Sequence, residues 1–242
     1  MKLNYLKNID RSFFLIFLGM IYATIFFSSF VLGYRVVSFN AHILCASVFI
    51  FPLLFPLNDS ITELFGVKVS YLMIFAIIFC EFLFSLLTKG VVLLPSPVGW
   101  QNQNLYPILT SGFLHIALAD SISLAIGFLA NSYFLNKWGI TLYGKGFFIR
   151  SLGATAIGEL IFTITTNLIT FHSFAVASWH DTLNIITSDY FFKMTYSFFI
   201  CVPNALFVSR IKKIVIKKNP DLITVNDKIV FIDSLKRNYQ VL

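Results

Sequence analysis

The residues in this sequence that could do chemistry are a few carboxylates set among apolar neighbours. Asp59 and Glu63 are spaced i, i+4, so on a helix both carboxylates share one face about one turn apart. Two like charges that close either sit at a hydrated helix end or draw a cation or a donor between them. Pro52 and Pro56 stand just before the pair; each lacks a backbone N–H and tends to break a helix, and broken helices at membrane depth line cavities. Glu81, Asp120 and Glu159 also lie in apolar surroundings. One such group can be satisfied by Ser, Thr or Asn on a neighbouring helix, whereas several together point to a shared polar interior. His115, five residues before Asp120, is either its donor or a neutral histidine bonded within the bundle. Asp189 and Lys193 repeat the i, i+4 spacing with opposite signs, which fits a structural ion pair or a ligand contact.

No other chemistry is encoded. There is no phosphate-cradling glycine loop with its lysine, no paired-histidine zinc motif and no Ser-His-Asp order. Cys45, Cys80 and Cys201 each sit in an apolar run without metal-ligand spacing, and they read as small apolar residues. No cofactor, no metal and no enzymatic activity is expected.

The elements that must position these groups are membrane spans. Of the 242 residues 57% are hydrophobic and 12% charged, and the mean hydropathy of +0.82 lies far outside the range of soluble domains. A bilayer core of about 30 Å takes about 20 apolar residues in a helix. Six runs of roughly that length appear: Ser12 to Leu32, Ala41 to Leu57 continuing into the polar stretch Asn58 to Gly66, Val69 to Leu87, Leu109 to Phe134, Leu152 to Phe171, and Tyr190 to Val208. The fold class is therefore an all-α integral membrane bundle. Its expected divisions are a short N-terminus (1–11), a six-helix domain (12–211) and a basic tail (212–242).

The formal charge of +7 would suggest nucleic acid in a soluble protein, but placement gives it another meaning. Fifteen of the eighteen Lys and Arg, Arg150 and the eight from Arg210 to Arg237 among them, fall on one side of the six-span arrangement. By the positive-inside rule that side is cytoplasmic, with both termini. Nucleic acid is not an expected partner; the tail reads as a stop-transfer signal that contacts anionic lipid. On the opposite side, Lys89 to Ile108 carries Trp100 and Asn102, and His172 to Asp189 carries Trp179 and His180. The tryptophans fit either an interfacial belt or a lid over a pocket.

A succession of motifs then resembles the queuosine precursor transporters, also called the vitamin uptake transporter family. It begins with Phe51-Pro52 through Asp59-Ser60-Ile61-Thr62-Glu63-Leu64-Phe65-Gly66 and continues at Trp100-Gln101-Asn102-Gln103-Asn104-Leu105-Tyr106. Ile116-Ala117-Leu118-Ala119 with Gly127, Ser151 to Glu159 with Thr163, and Trp179, Asp189-Tyr190, Lys193 and Pro203 complete it, over roughly residues 40–208.

The resemblance implies an inner-membrane importer of a deazaguanine-type base, similar in shape to the substrate-binding subunits of energy-coupling-factor transporters. Energy would come from a proton, from an external ATPase module or from neither. A purine-like base offers π-faces for Trp100, Trp179 or a phenylalanine and N–H donors for a carboxylate. The substrate-binding set expected on these grounds is Asp59, Glu63, Trp100, Asn102, His115, Asp120, Glu159, Trp179, Asp189 and Lys193. The sequence departs from the family pattern at His115, Phe128, Asn131 and Phe162, where the family favours polar residues or arginine, and Asp120 replaces a small one. Those departures favour the same fold with another nucleobase or vitamin as an alternative. A non-transporting membrane interaction protein is the third possibility.

Overall fold

The computed structural model describes residues 2–33, 35–39, 42–97, 99, 103–142, 146–173, 178–218, 222–225 and 228–231. Among them, six helical stretches are long and apolar enough to cross a membrane. Helix α1 (Lys2–Val31) leads into a hairpin of β1 (Val36–Phe39) and β2 (His42–Cys45), antiparallel with Val36 opposite Cys45. Two short 3-10 turns, Ala46–Phe49 and Phe51–Leu53, lead into α2 (Leu54–Phe65). Helix α3 (Val67–Val92), the short α4 (Leu105–Thr110), α5 (Phe113–Thr141) and α6 (Phe147–Asn167) follow. Helix α6 runs on into a π-helical turn, Leu168–Ser173, before α7 (Trp179–Lys218), and β3 (Leu222–Val225) pairs with β4 (Lys228–Phe231).

Several boundaries differ from those expected. The second span was expected from Ala41, yet residues 42–45 form a strand and the spanning stretch runs Ala46–Phe65. A short apolar run reads the same in a strand as in a helix, and only the pairing with Val36–Phe39 separates them. Pro52 and Pro56 do not kink an established helix. Pro52 is the second residue of the second 3-10 turn and Pro56 lies in the first turn of α2, where a missing N–H costs no intrahelical bond. The sixth helix starts at Trp179, eleven residues before the expected Tyr190, so much of the presumed outer segment is helical.

Because six spans alternate in direction, the start of α1 and the end of α7 lie at one end of the bundle, here called the terminal end. The β1–β2 hairpin marks the other. Between α2 and α3 a single residue makes the turn: Gly66 has φ +96°, a conformation that L side chains rarely adopt. The second span is the central one, with 61% of its most apolar stretch buried against 28% for the first and third and 22% for the sixth. Phe75 and Phe79 on α3, Phe13 and Phe17 on α1, and Phe191 and Phe199 on α7 point outward, as lipid-facing residues do.

Helices α5 and α6 pack backbone to backbone. A Cβ on Gly127 would come within 2.9 Å of the Gly158 carbonyl oxygen, and one on Gly158 within 2.7 Å of Asn131 Cβ; small residues permit this approach in membrane bundles.

Candidate functional site

The polar interior has two layers separated by phenylalanines. At the terminal end, Asp59 on α2 is fully buried. Its Oδ1 accepts from Asn131 Nδ2 at 3.0 Å, and its Oδ2 accepts from Ser151 Oγ and from Thr155 Oγ1 at 3.2 Å. Beside it, Ser70 and Asn58 share a network with Ser132 at 2.8–2.9 Å, while Ser60 donates to Asn204 at 2.6 Å. One turn on, Glu63 accepts from both guanidinium nitrogens of Arg150, 3.1 and 3.3 Å away, and from Lys212 at 2.6 Å. The sequence counted Arg150 and Lys212 only as topology signals; in the structure Arg150 is only 1% exposed and Lys212 pairs with Glu63. The expected cation between two carboxylates is thus present for Glu63, and neutral donors do that work for Asp59.

The middle layer is aromatic. Phe55 of α2 stacks on Phe128 of α5 with centroids 4.0 Å apart, and Phe51 stacks on Phe162 of α6 at 4.2 Å. The second pair is also the floor of a cavity at the hairpin end. The cavity is small, about 50 Å³, below the roughly 300–1,000 Å³ usual for small-molecule sites, so a purine-sized ligand requires its walls to move apart. Ser29 of α1, Cys45 and Ser47 before α2, Asp120 of α5, Asn167 at the end of α6 and Asp189 with Lys193 of α7 contribute its polar lining. The irregular stretch ahead of α2 therefore lines the cavity through Ser47 and Phe51.

Lys193 Nζ stands 5.0 Å from the Phe51 ring centroid and 4.9 Å from that of Phe162, donates to Thr163 Oγ1 at 3.2 Å and lies 3.8 Å from Glu159 Oε2. Its carboxylate partner in the structure is Glu159, across the α6–α7 interface, rather than Asp189 four residues earlier. Glu159 is fully buried and neither of its oxygens receives a hydrogen bond; it backs Lys193 and does not itself line the cavity. Asp189 Oδ2 accepts from Asn167 Nδ2 at 3.4 Å, leaving Oδ1 without a partner, as are the hydroxyls of Thr166 and Thr170. Those three unsatisfied groups belong to residues of the cavity wall, and buried polar groups ordinarily find partners. Burial pushes the Cys45 thiol up to about 12, so it serves as an un-ionised apolar lining group.

Of the residues expected from the sequence, the structure brings Asp120, Asp189 and Lys193 to the cavity with Glu159 behind them. Asp59 and Glu63 belong to the terminal layer. His115 is exposed and Trp179, at the start of α7, is 59% exposed; neither lines the cavity. Trp100 and Asn102 lie outside the described residues. Sequence reasoning missed Thr166, Asn167 and Thr170. Their spacing is i, i+1, i+4 at the end of the fifth span, a polar stripe in an apolar run that was available as a signal. Two of the family departures, Phe128 and Asn131, are absorbed by the aromatic layer and by Asp59, whereas Phe162 and Asp120 reach the cavity.

A multi-pass helical bundle with a polar cavity among its spans suits a small-molecule membrane carrier. The family model described as "putative vitamin uptake transporter" matches residues 45–208, more than half of the 242 residues, and the chain belongs to that family. No curated protein and no solved structure matches it.

Proposed function

We propose that the protein imports a queuosine precursor, a deazaguanine-type base, through the inner membrane, with both termini in the cytoplasm and without catalysing a reaction. The observation that carries this reading is the cavity's chemistry: the unpartnered Asp189 Oδ1 and the Thr166 and Thr170 hydroxyls stand above the Phe51–Phe162 pair. A guanine-like edge presents adjacent N–H donors that a carboxylate accepts in pairs. Its carbonyl oxygen suits Lys193 or Asn167, and its flat face suits a phenylalanine ring. Asp120, Asp189 and Lys193 are the contacting residues in this reading, with Glu159 holding Lys193 in place. Asp59 and Glu63 act at a distance, keeping the terminal end closed while the hairpin end is open.

The test is genetic. A strain unable to make queuosine is given this protein and a trace of precursor; recovery of the modified base in transfer RNA supports the reading, and no recovery despite membrane expression rejects it. Another nucleobase or a vitamin as cargo is the second reading, favoured by Phe162, an apolar residue on the cavity floor where the resemblance leads one to expect a frequent aspartate.

A further inference from the structure

Helical threonines of this chain commonly bond back to their own backbone. The hydroxyls of Thr24, Thr88, Thr187 and Thr195 each donate to the carbonyl oxygen four residues earlier, at 2.7–2.9 Å, which satisfies the group within its own helix. Thr166 and Thr170, at the end of the fifth span, do not. Their hydroxyl oxygens are enclosed and have no partner, and both residues line the cavity. Thr170 stands within the π-helical turn Leu168–Ser173, where the change from i+4 to i+5 bonding shifts the carbonyl oxygens from their α-helical places; such turns are frequent at functional sites.

A third oxygen belongs with them. Asn167, next to Thr166 in the chain, donates to Asp189 Oδ2 at 3.4 Å, so the Asp189 carboxylate sits against the same end of α6 that carries the two threonines. Its Oδ1 has no partner, and the residue is 2% exposed. Ser29 of α1 and Ser47 of the first 3-10 turn add hydroxyls to the lining. These are all oxygen groups, the ligands that hard cations take.

The charges at the cavity favour a cation there. Asp120 and Asp189 line it, and neither forms an ion pair among the described residues. The cation of the lining, Lys193, is held by Glu159 and Thr163. Thr163 lies three residues before Thr166, about 4.5 Å along a helix, so the ammonium is anchored on the floor side of the unpartnered oxygens and its charge is matched by Glu159. Size points the same way. A cavity needs about 10–15 Å³ to hold one water, so about 50 Å³ suits an ion with a few waters. One carboxylate oxygen among neutral hydroxyls suits a monovalent ion, since a calcium site gathers several carboxylates.

We propose that Asp189, Thr166 and Thr170 form a binding site for a monovalent cation of sodium size at the hairpin end of the bundle. Asp189 Oδ1 and the two hydroxyl oxygens hold the ion, and Ser29, Ser47 or water completes its shell. The site goes beyond the cargo reading and does not depend on it. A carboxylate offers about four lone-pair positions, so Asp189 can hold the ion and still accept an N–H from a base once the cavity walls part.

Equilibrium binding of radiolabelled sodium to the purified full-length protein tests it, at neutral pH, with choline chloride holding the ionic strength and no base present. Failure of the cargo reading therefore leaves this test intact. Saturable binding by the wild type, displaced by unlabelled sodium chloride and not by choline, is expected. Thr166→Val combined with Thr170→Val removes both hydroxyls at nearly constant shape and is expected to lose that binding, as is Asp189→Asn. Thr195→Val, whose exposed hydroxyl bonds within its own helix, is expected to bind sodium as the wild type does. Thermal unfolding of the wild type gives a second readout that needs no variant: sodium in place of choline is expected to raise the midpoint, because an ion bound only by the folded state stabilises it. No saturable binding by the wild type, a midpoint that sodium leaves unchanged, binding that survives in a folded site variant, or an equal loss in Thr195→Val overturns the proposal.

Discussion

The ammonium of Lys193 lies 3.8 Å from Glu159, a fully buried carboxylate whose oxygens receive no hydrogen bond. Together with the bond from Lys193 to Thr163 Oγ1, this contact ties α7 to α6 and holds the cation by the two aromatic rings of the cavity floor.

Lys193→Met removes the cation and leaves Glu159 alone. Breaking a buried pair from one side costs about 3–5 kcal/mol, which thermal unfolding in detergent will show as a lowered midpoint. Lys193→Met combined with Glu159→Gln restores most of that stability, because an amide carries no charge to bury. Binding of 7-deazaguanine stays lost in the double variant. Restored binding there would mean that Lys193 serves stability alone.

Glu63 closes the terminal end by holding Arg150 and Lys212 at once. Glu63→Gln frees two cations, one of them only 1% exposed, and the loss of stability expected is again about 3–5 kcal/mol. Arg150→Lys does not substitute, since a single ammonium cannot reproduce the two-nitrogen contact with Oε1 and Oε2. Thermal unfolding of Glu63→Gln and Arg150→Lys side by side checks this, with both expected well below the wild type.

How far the sequence was readable is plainest at these carboxylates. Asp59 and Glu63 were identifiable from i, i+4 spacing, and a face of a helix is all that such spacing can give. Their partners Asn131, Ser151, Thr155 and Arg150 lie about 70–100 residues further along, and nothing local marks them. Arg150 counted only toward topology, because a basic residue near a loop does so whether or not it folds inward, and its pairing with Glu63 could not be read from its position. The spans were legible because about 20 apolar residues are a physical requirement of the bilayer, while the β1–β2 hairpin was not, since its residues are as apolar as a span. The cavity residues Thr166, Asn167 and Thr170 form a polar stripe in an apolar run, a weaker signal than a carboxylate because spans accommodate uncharged polar side chains by bonding within the bundle.

Gly158 tests the helix packing that holds both layers. A Cβ there would meet Asn131 Cβ at 2.7 Å, Phe55 Cε1 at 2.8 Å and the Gly127 carbonyl oxygen at 2.9 Å. Overpacking of this kind costs about 1–3 kcal/mol. Gly158→Ala is therefore expected to lower the unfolding midpoint, whereas Gly90→Ala, where a Cβ would meet nothing within 4 Å, leaves it near the wild-type value. Equal midpoints for the two variants would contradict the close approach of α5 and α6.

Asp59→Asn separates the two polar layers. It leaves one acceptor oxygen for three donors, and an unsatisfied buried donor costs about 1–3 kcal/mol, so the variant unfolds earlier. Since Asp59 does not line the cavity, the affinity of the folded fraction for 7-deazaguanine is expected to match that of the wild type in a filter-binding assay. A large affinity loss would place the substrate at the terminal layer.

The most direct measurement is equilibrium binding of tritiated 7-deazaguanine to the purified protein, compared with Asp189→Ala. Saturable binding by the wild type, weakened about tenfold or more, about 1.4 kcal/mol, when the unpartnered acceptor of Asp189 is removed, is the result expected. No saturable binding, or equal binding by Asp189→Ala, would contradict the assignment of the cavity as the site for a purine-like base.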